Sequence, residues 1–192
     1  QLVRVAAPIA LGDNIDGLRI VGPTPDIFHV SRATLANGRI WNKPLQVVLG
    51  AQAANALHLK LGDRFVGAHG LATGGEMHSQ FPYTVVGVLA ATGSALDRLV
   101  LCDIETVRVI HRAHAAEEVA ESGLTENTVN LPDAATAVVV SYKSPVAAML
   151  MPRLVDASPE LSAASPTFEI ARVMSYLRPL TEAVTAIGLL LV

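Results

Sequence analysis

Four of the six histidines in this chain fall into two groups with the residue types of a zinc site. His111, His114 and Glu118 follow one another at offsets of three and four, which share one face of a helix. Two imidazoles and a carboxylate are ordinary zinc donors. The same spacing also describes a solvated helix face on which His114 and Glu118 form a simple i,i+4 pair. The second group, His69, Glu76 and His78, lies in a glycine-rich stretch. Glycines 70, 74 and 75 would let it wrap an ion, or leave it without order, and binding must exceed the cost of ordering a long loop. No metal site is favoured on this pattern, but two groups meeting in space would make one.

Other reactive residue types carry less. Ser94 stands in Thr92-Gly-Ser-Ala-Leu-Asp-Arg98, without the Gly-x-Ser-x-Gly elbow of an acyl-transfer enzyme. It reads as a turn between strands, with Asp97 and Arg98 as polar flanks. Gly12-Asp13-Asn14 with Asp16 lacks the twelve-residue loop and terminal Glu of a calcium site, and a hairpin turn explains it. Cys102 is the single cysteine, so no intrachain disulfide forms. In the run Leu99-Val-Leu-Cys102 it reads as a small buried hydrophobe. There is no Gly-x-x-x-x-Gly-Lys-Ser/Thr phosphate loop. No catalytic constellation emerges, and the chain is not read as an enzyme.

The bulk composition agrees. Of 192 residues, 51% are hydrophobic, 16% charged and 4% aromatic, and the formal net charge is −3. Mean hydropathy is +0.43, apolar for a soluble domain and in keeping with a fragment that touches a membrane at one end. Charge is unclustered, which argues against nucleic acid and against a polybasic membrane patch. No signal peptide opens the sequence. No stretch reaches the roughly 20 apolar residues of a full span, although 181–192 turns apolar like the start of a cut transmembrane helix.

The elements follow from periodicity and punctuation. Strands are expected at 2–11, 17–22, 46–49, 64–69, 82–91, 98–102, 137–142 and 167–170, and helical turns at 26–30 and 51–59. Gly62 is expected to end the second of these helices in the left-handed conformation. Residues 35–39 read as loop or turn, with Trp41 plugging an apolar seam beside them. Asp103 is an N-cap for a helix running to about 121. Ser144-Pro145 opens another helix, with a hydroxyl cap followed by proline at the first helical position. A last helix begins near 172, and Pro179 should kink it. Strands crowd the middle and strand–helix pairs the ends, so the fold class is α+β.

Several stretches, in this order, resemble the periplasmic core domain of MacB-like, FtsX-type ABC-transporter permeases. They are Pro8-Ile-Ala-Leu-Gly-Asp13, Leu18-Arg-Ile-Val-Gly22, Val48-Leu-Gly50, Leu59-Lys-Leu-Gly-Asp63, Thr84-Val-Val-Gly-Val-Leu89, and Thr92-Gly93 with Asp97-Arg98. The resemblance implies a membrane-proximal βαβ (porter-like) subdomain from 1–45 and 135–180, and a mostly β (sabre-like) insert at 46–134. It implies an extracytoplasmic position on a bacterial inner membrane and a second permease subunit. It further implies a cytoplasmic ATPase subunit that binds the ATP, and a periplasmic adaptor or lipoprotein as further partner. The implied work is to relay ATP-driven movement toward export or release of a substrate, with no cofactor in this domain. The 70–80 and 123–133 loops are its expected contacting tips. The alternative is a periplasmic zinc-binding module of a metal-related transporter, using the histidine groups above.

Overall fold

The computed structural model describes residues 2–68, 81–122 and 135–190, with side chains described throughout except at 115–122, 186, 187, 189 and 190. These residues divide into a larger compact unit, Val5–Ser141, and a smaller one made of Gln1–Arg4 with Tyr142–Val192.

The larger unit is built on one mixed sheet. Its elements are β1 (Val3–Ile15), β2 (Leu18–Pro23), α1 (Asp26–Ser31), β3 (Leu35–Gly38), β4 (Gln46–Leu49), α2 (Ala51–Leu57), β5 (Arg64–Phe65), β6 (Tyr83–Leu89), a 3-10 turn (Ala95–Arg98), β7 (Val100–Cys102), α3 (Ile104–Ser122) and β8 (Ala137–Tyr142). The sheet order is β3-β6-β4-β7-β2-β1-β8, with β5 also on β6. The β2–β7 and β4–β6 pairs are parallel; β1–β2, β3–β6, β4–β7 and β5–β6 are antiparallel. This is the α+β class expected.

Side chains alternate across the central strands, because successive residues of a strand point to opposite faces. Val47, Leu49, Val100, Cys102 and Ile20 share one core cluster with Ile104, Val107 and Ile110 of α3. Val48, Leu101 and Val21 share the other with Ile27 and Phe28 of α1 and with Trp41. Both faces are therefore covered, which is why these strands read as unbroken apolar runs. β6 changes phase once. The register steps from Val47↔Val85 to Val48↔Gly87, so Val86 is a bulged residue. Val85 and Val88 consequently face the same cluster, while Leu89 turns to the other.

Glycine is required where β3 lies on this bulge. Gly38 pairs with Gly87. A Cβ on Gly38 would sit 2.2 Å from the Val86 carbonyl oxygen, and one on Gly87 would sit 2.5 Å from that of Arg39. The Val86 carbonyl is instead satisfied by the Arg39 N–H at 2.9 Å.

Several expectations need correction. β1 does not stop at 11; it continues through Gly12-Asp13-Asn14, and the turn falls at Asp16 and Gly17, both with positive φ. Residues 35–38 are strand. α2 ends on His58, which takes the left-handed conformation itself at φ 56°. Gly62 sits in the following turn, whose Gly62 N–H reaches the Val85 carbonyl at 2.8 Å. Strands from both sides of residue 45 lie in one sheet: β2 pairs with β7, and β3 with β6.

The smaller unit holds α4 (Pro145–Asp156) and α5 (Pro166–Leu190). Ser144 caps α4 as expected, its hydroxyl accepting from the Ala147 N–H at 3.2 Å. Residues 167–170, expected as strand, form the first turns of α5. Pro179 lies inside that helix. Among the described residues no helix is long and apolar enough to cross a membrane.

Candidate functional site

The buried polar side chains are where chemistry would start, and most of them fasten backbone. Asp103 opens α3. Its Oδ1 accepts from the Glu105 N–H at 2.9 Å, the capping role its sequence position predicts. Its Oδ2 accepts from the indole Nε1–H of Trp41 at 3.0 Å. Trp41 packs its ring on Phe28 with centroids 5.4 Å apart. Four residues on, the Leu45 N–H donates to the Thr106 hydroxyl at 3.2 Å, and Leu45 holds φ at +61°. The β3–β4 connection is thus pinned at two points to the first turn of α3.

Asp97 is the centre of a second fastening. It is 2% exposed. Oδ1 accepts from the Thr92 N–H and the Thr92 hydroxyl, both at 2.8 Å, and Oδ2 accepts from the Gly93 N–H at 2.9 Å. Donation by the Thr92 N–H holds the carboxyl below its usual range against the opposing effect of burial, with the Thr92 hydroxyl and Gly93 N–H adding to it. Ser94 caps the 3-10 turn through its hydroxyl, which accepts from the Leu96 N–H at 3.3 Å and lies 2.7 Å from the Thr92 hydroxyl. Asp97 is therefore the anchor of its turn and not the polar flank that its neighbours suggested. This turn closes over the start of α2. A Cβ on Gly50 would meet the Leu96 carbonyl oxygen at 2.1 Å, and the Gly50 N–H donates to the Leu99 carbonyl at 2.9 Å. Two stretches that carried the family resemblance, Val48-Leu-Gly50 and Thr92 to Arg98, are in this way one packed junction.

Asn14, 2% exposed, does similar work at the end of β1. Its side-chain amide donates to the Ala68 carbonyl at 3.0 Å, where the two backbones also exchange bonds. Asp13 is buried beside it, in contact range of Gly67. The Gly12-Asp13-Asn14 stretch belongs to strand pairing, as its bulged register with β2 shows.

Of the zinc candidates, His111 and His114 lie on α3, and the His114 ring meets Phe81 edge-on at 6.4 Å. The Glu118 side chain, and His69, Glu76 and His78, lie outside the described residues, as do the 70–80 and 123–133 loops. Among the described residues no three His, Cys, Asp or Glu side chains come together as a metal-holding group. Cys102 is fully buried, its thiol 3.8 Å from the Val21 carbonyl. Burial pushes that thiol, and the Tyr83 phenol on the same core face, well above their ordinary ranges. Neither is poised to react.

Sequence reasoning missed Thr106, Asn14 and the anchoring role of Asp97. A signal for the last was present: Ser94 and Asp97 stand three apart after a glycine, a spacing that lets both side chains turn back onto local N–H groups.

A mixed sheet covered on both faces, with connections pinned by the carboxylates of Asp97 and Asp103, defines an α+β domain. The family profile of the MacB-like periplasmic core domain matches residues 1–148, and the chain belongs to that family. It is a periplasmic domain of a MacB-like ABC transporter permease. The chain is similar to the extracellular domain of the ABC-type transporter YknZ from Gram-positive bacteria, at 12% identity and TM-score 0.47, covering 83% of this chain and 78% of that one. It is also similar to the periplasmic region of MacB from Actinobacillus actinomycetemcomitans, at 16% identity and TM-score 0.43, covering 80% and 77%. A domain of a permease protein from Porphyromonas gingivalis follows at 13% identity and TM-score 0.46, covering 80% and 67%. No curated protein matches the chain in sequence.

Proposed function

We propose that this domain relays ATP-driven movement from a permease in a bacterial inner membrane to a substrate or partner protein outside it, and makes or breaks no covalent bond itself. The observation that carries this reading is membership of the MacB-like periplasmic core domains over residues 1–148. In this reading the ATP is bound by a separate cytoplasmic ATPase subunit, a second permease subunit completes the working pair, and a periplasmic adaptor or lipoprotein receives the motion. The domain needs no cofactor.

The arrangement of the larger unit suits a part that is moved as a body. Buried Asp97 and Asn14 and half-buried Asp103 fasten its connections. A lever must transmit displacement without absorbing it, and close-packed interiors of low compressibility do so. The energy of transport then lies in the difference between two arrangements of the whole assembly.

The test is made in the complete transporter with its ATPase. Spin labels at exposed Asp16 and Ser175 report one position in each compact unit. The distance distribution between them is expected to shift when ATP is added, and to return after hydrolysis. A distribution indifferent to ATP in an assembly that still transports would overturn the relay.

A further inference from the structure

Asn37 and Gly38 close β3, which stands at the end of the sheet order among the described residues. Both are exposed, and no hydrogen bond ties the Asn37 side chain. An asparagine before a glycine is the pair most prone to cyclise. The attacking group is the backbone nitrogen of the next residue, and glycine puts no side chain in front of it. The other asparagines lack this arrangement. Asn14 is buried, and its amide donates to the Ala68 carbonyl at 3.0 Å. Asn42 accepts from Arg39 at 2.8 Å and precedes Lys43. Asn55 lies within α2, and Ala56 follows it. Asn127 and Asn130, outside the described residues, precede Thr128 and Leu131.

The pairing of β3 leaves the Gly38 nitrogen open. Gly38 stands opposite Gly87, and the next amide, the Arg39 N–H, donates to the Val86 carbonyl on β6 at 2.9 Å. Successive amides of a strand point to opposite sides, so the Gly38 N–H points off the sheet. No ladder bond of its own holds the proton. β3 is also only four residues long, with a register shift between Leu35 and Asn37. Short edge segments with few buried contacts open locally at little cost, and a swing of the 37–38 peptide brings the nitrogen to the Asn37 amide carbon. Asp16-Gly17 has the same follower, but a carboxylate gives up its oxygen far less readily than an amide gives up ammonia.

We infer that Asn37-Gly38 is a self-modifying site, at which the chain converts Asn37 to isoaspartate and so unlatches β3 from β6. The Gly38 nitrogen gives its proton to water and attacks Cγ of Asn37. The new N–Cγ bond forms, the Cγ–Nδ2 bond breaks, and Nδ2 takes up a proton and leaves as ammonia. Water then opens the cyclic imide. Opening at Cγ gives aspartate. Opening at the backbone carbonyl leaves Gly38 joined through Cγ, which is isoaspartate, with one more methylene in the main chain and a free carboxylate. Nothing is oxidised or reduced: water enters and ammonia departs.

β3 has no slack for that methylene. A Cβ on Gly38 would already lie 2.2 Å from the Val86 carbonyl oxygen, and one on Gly87 would lie 2.5 Å from that of Arg39. A longer chain at 37 shifts Gly38 off Gly87 and draws the Arg39 N–H from the Val86 carbonyl. Leu35, which packs on the cluster of Trp41 and Leu89, loses its hold with them. The site is independent of the relay proposed above.

Ageing the folded 192-residue chain in mildly alkaline buffer, followed by trypsin and mass spectrometry, tests this. Cleavage after Arg32 and Arg39 isolates residues 33–39, and residues 40–60 carry Asn42 and Asn55 as an internal reference. Peptide 33–39 should convert at least tenfold faster than 40–60 and yield both acidic products, the isoaspartyl one in excess. Asn37→Gln, whose ring closure is much slower, should abolish the conversion. Equal rates in the two peptides, or conversion that persists in Asn37→Gln, would overturn the site. The aged chain, separated by anion exchange, should unfold at lower urea than its parent. Asn37→Asp carries the new charge on an unaltered backbone and should unfold where the parent does. An isoaspartyl chain as stable as the parent, or an Asn37→Asp chain as weak as the isoaspartyl one, would overturn the unlatching.

Discussion

The indole N–H of Trp41 donates to Oδ2 of Asp103 at 3.0 Å, across 62 residues of chain, while Oδ1 of the same carboxylate caps α3. One side chain thus fixes both the start of a helix and the loop that crosses it. Trp41→Phe keeps most of the apolar contact with Phe28 but removes the donor. It is expected to cost about 1–2 kcal/mol, read by urea denaturation. Asp103→Ala loses cap and acceptor together and should cost about 2–3 kcal/mol. In a double-mutant cycle the two losses should overlap by at least 0.5 kcal/mol; strict additivity would show that the bond contributes nothing.

Gly50 has no room for a methyl group. Gly50→Ala would place Cβ 2.1 Å from the Leu96 carbonyl, which belongs to the fastened 3-10 turn and not to a flexible side chain. We expect a loss of about 3 kcal/mol or more, or failure to fold. Gly93→Ala meets nothing within 4 Å but sits at φ +68°. It should cost only about 1 kcal/mol, the backbone effect alone. Equal losses at the two sites would contradict the packing described for the junction.

Asp97 gives the domain an acid limb. Its carboxyl is held below the ordinary carboxylate range in the folded chain. The folded state therefore binds fewer protons than the unfolded state as pH drops through that range. The stability from Asp97 is complete above the unfolded value near 4 and is lost as pH falls through the lower folded value. Asp97→Asn should lower the melting temperature by several degrees at pH 7 and flatten the decline of stability below pH 4. A variant whose acid limb is as steep as that of the parent would sink this assignment.

Cys102 offers a readout of opening. Its thiol is buried and pushed well above the usual thiol range. A thiol reagent at neutral pH should label the native chain no faster than the core opens, and the rate should rise with urea in step with loss of structure. Rapid labelling of the folded protein would place the thiol at a surface.

The strands with two buried faces, and the caps at Asp103 and Ser144, were legible in the sequence because their causes are local. Alternation, a carboxylate before a helix and Ser-Pro at a helix start act within a few residues. What was illegible depends on distant partners. Gly12-Asp13-Asn14 has turn chemistry, yet it stays in β1 because Asn14 and Ala68 exchange backbone bonds 54 residues apart. Asp97 looked like a surface residue because nothing in its neighbourhood announces that the β4–α2 corner will cover it. Strands from both sides of residue 45 likewise pair in one sheet, β2 with β7 and β3 with β6, which chain order alone does not announce. Residues 167–170 have β-branched and aromatic content, and they nonetheless join the helix that follows, as propensity is a weak prior over so short a window. Of the candidate zinc residues, only His111 and His114 have described side chains, and the sequence could place them on a face but not against Phe81.

The outer side of β1 is met by a segment that arrives very late in the chain. The Thr136 N–H donates to the Ile9 carbonyl at 2.8 Å, and the Leu11 N–H donates to the Thr136 hydroxyl at 3.2 Å, 125 residues away. During synthesis and export, that rim of the first strand must wait bare until 125 further residues have followed Leu11. Such distant pairing is slow and leaves a strand open to wrong neighbours. A cell producing this domain would need to shepherd it through that interval, and mutations near Thr136 would be felt first as lost yield.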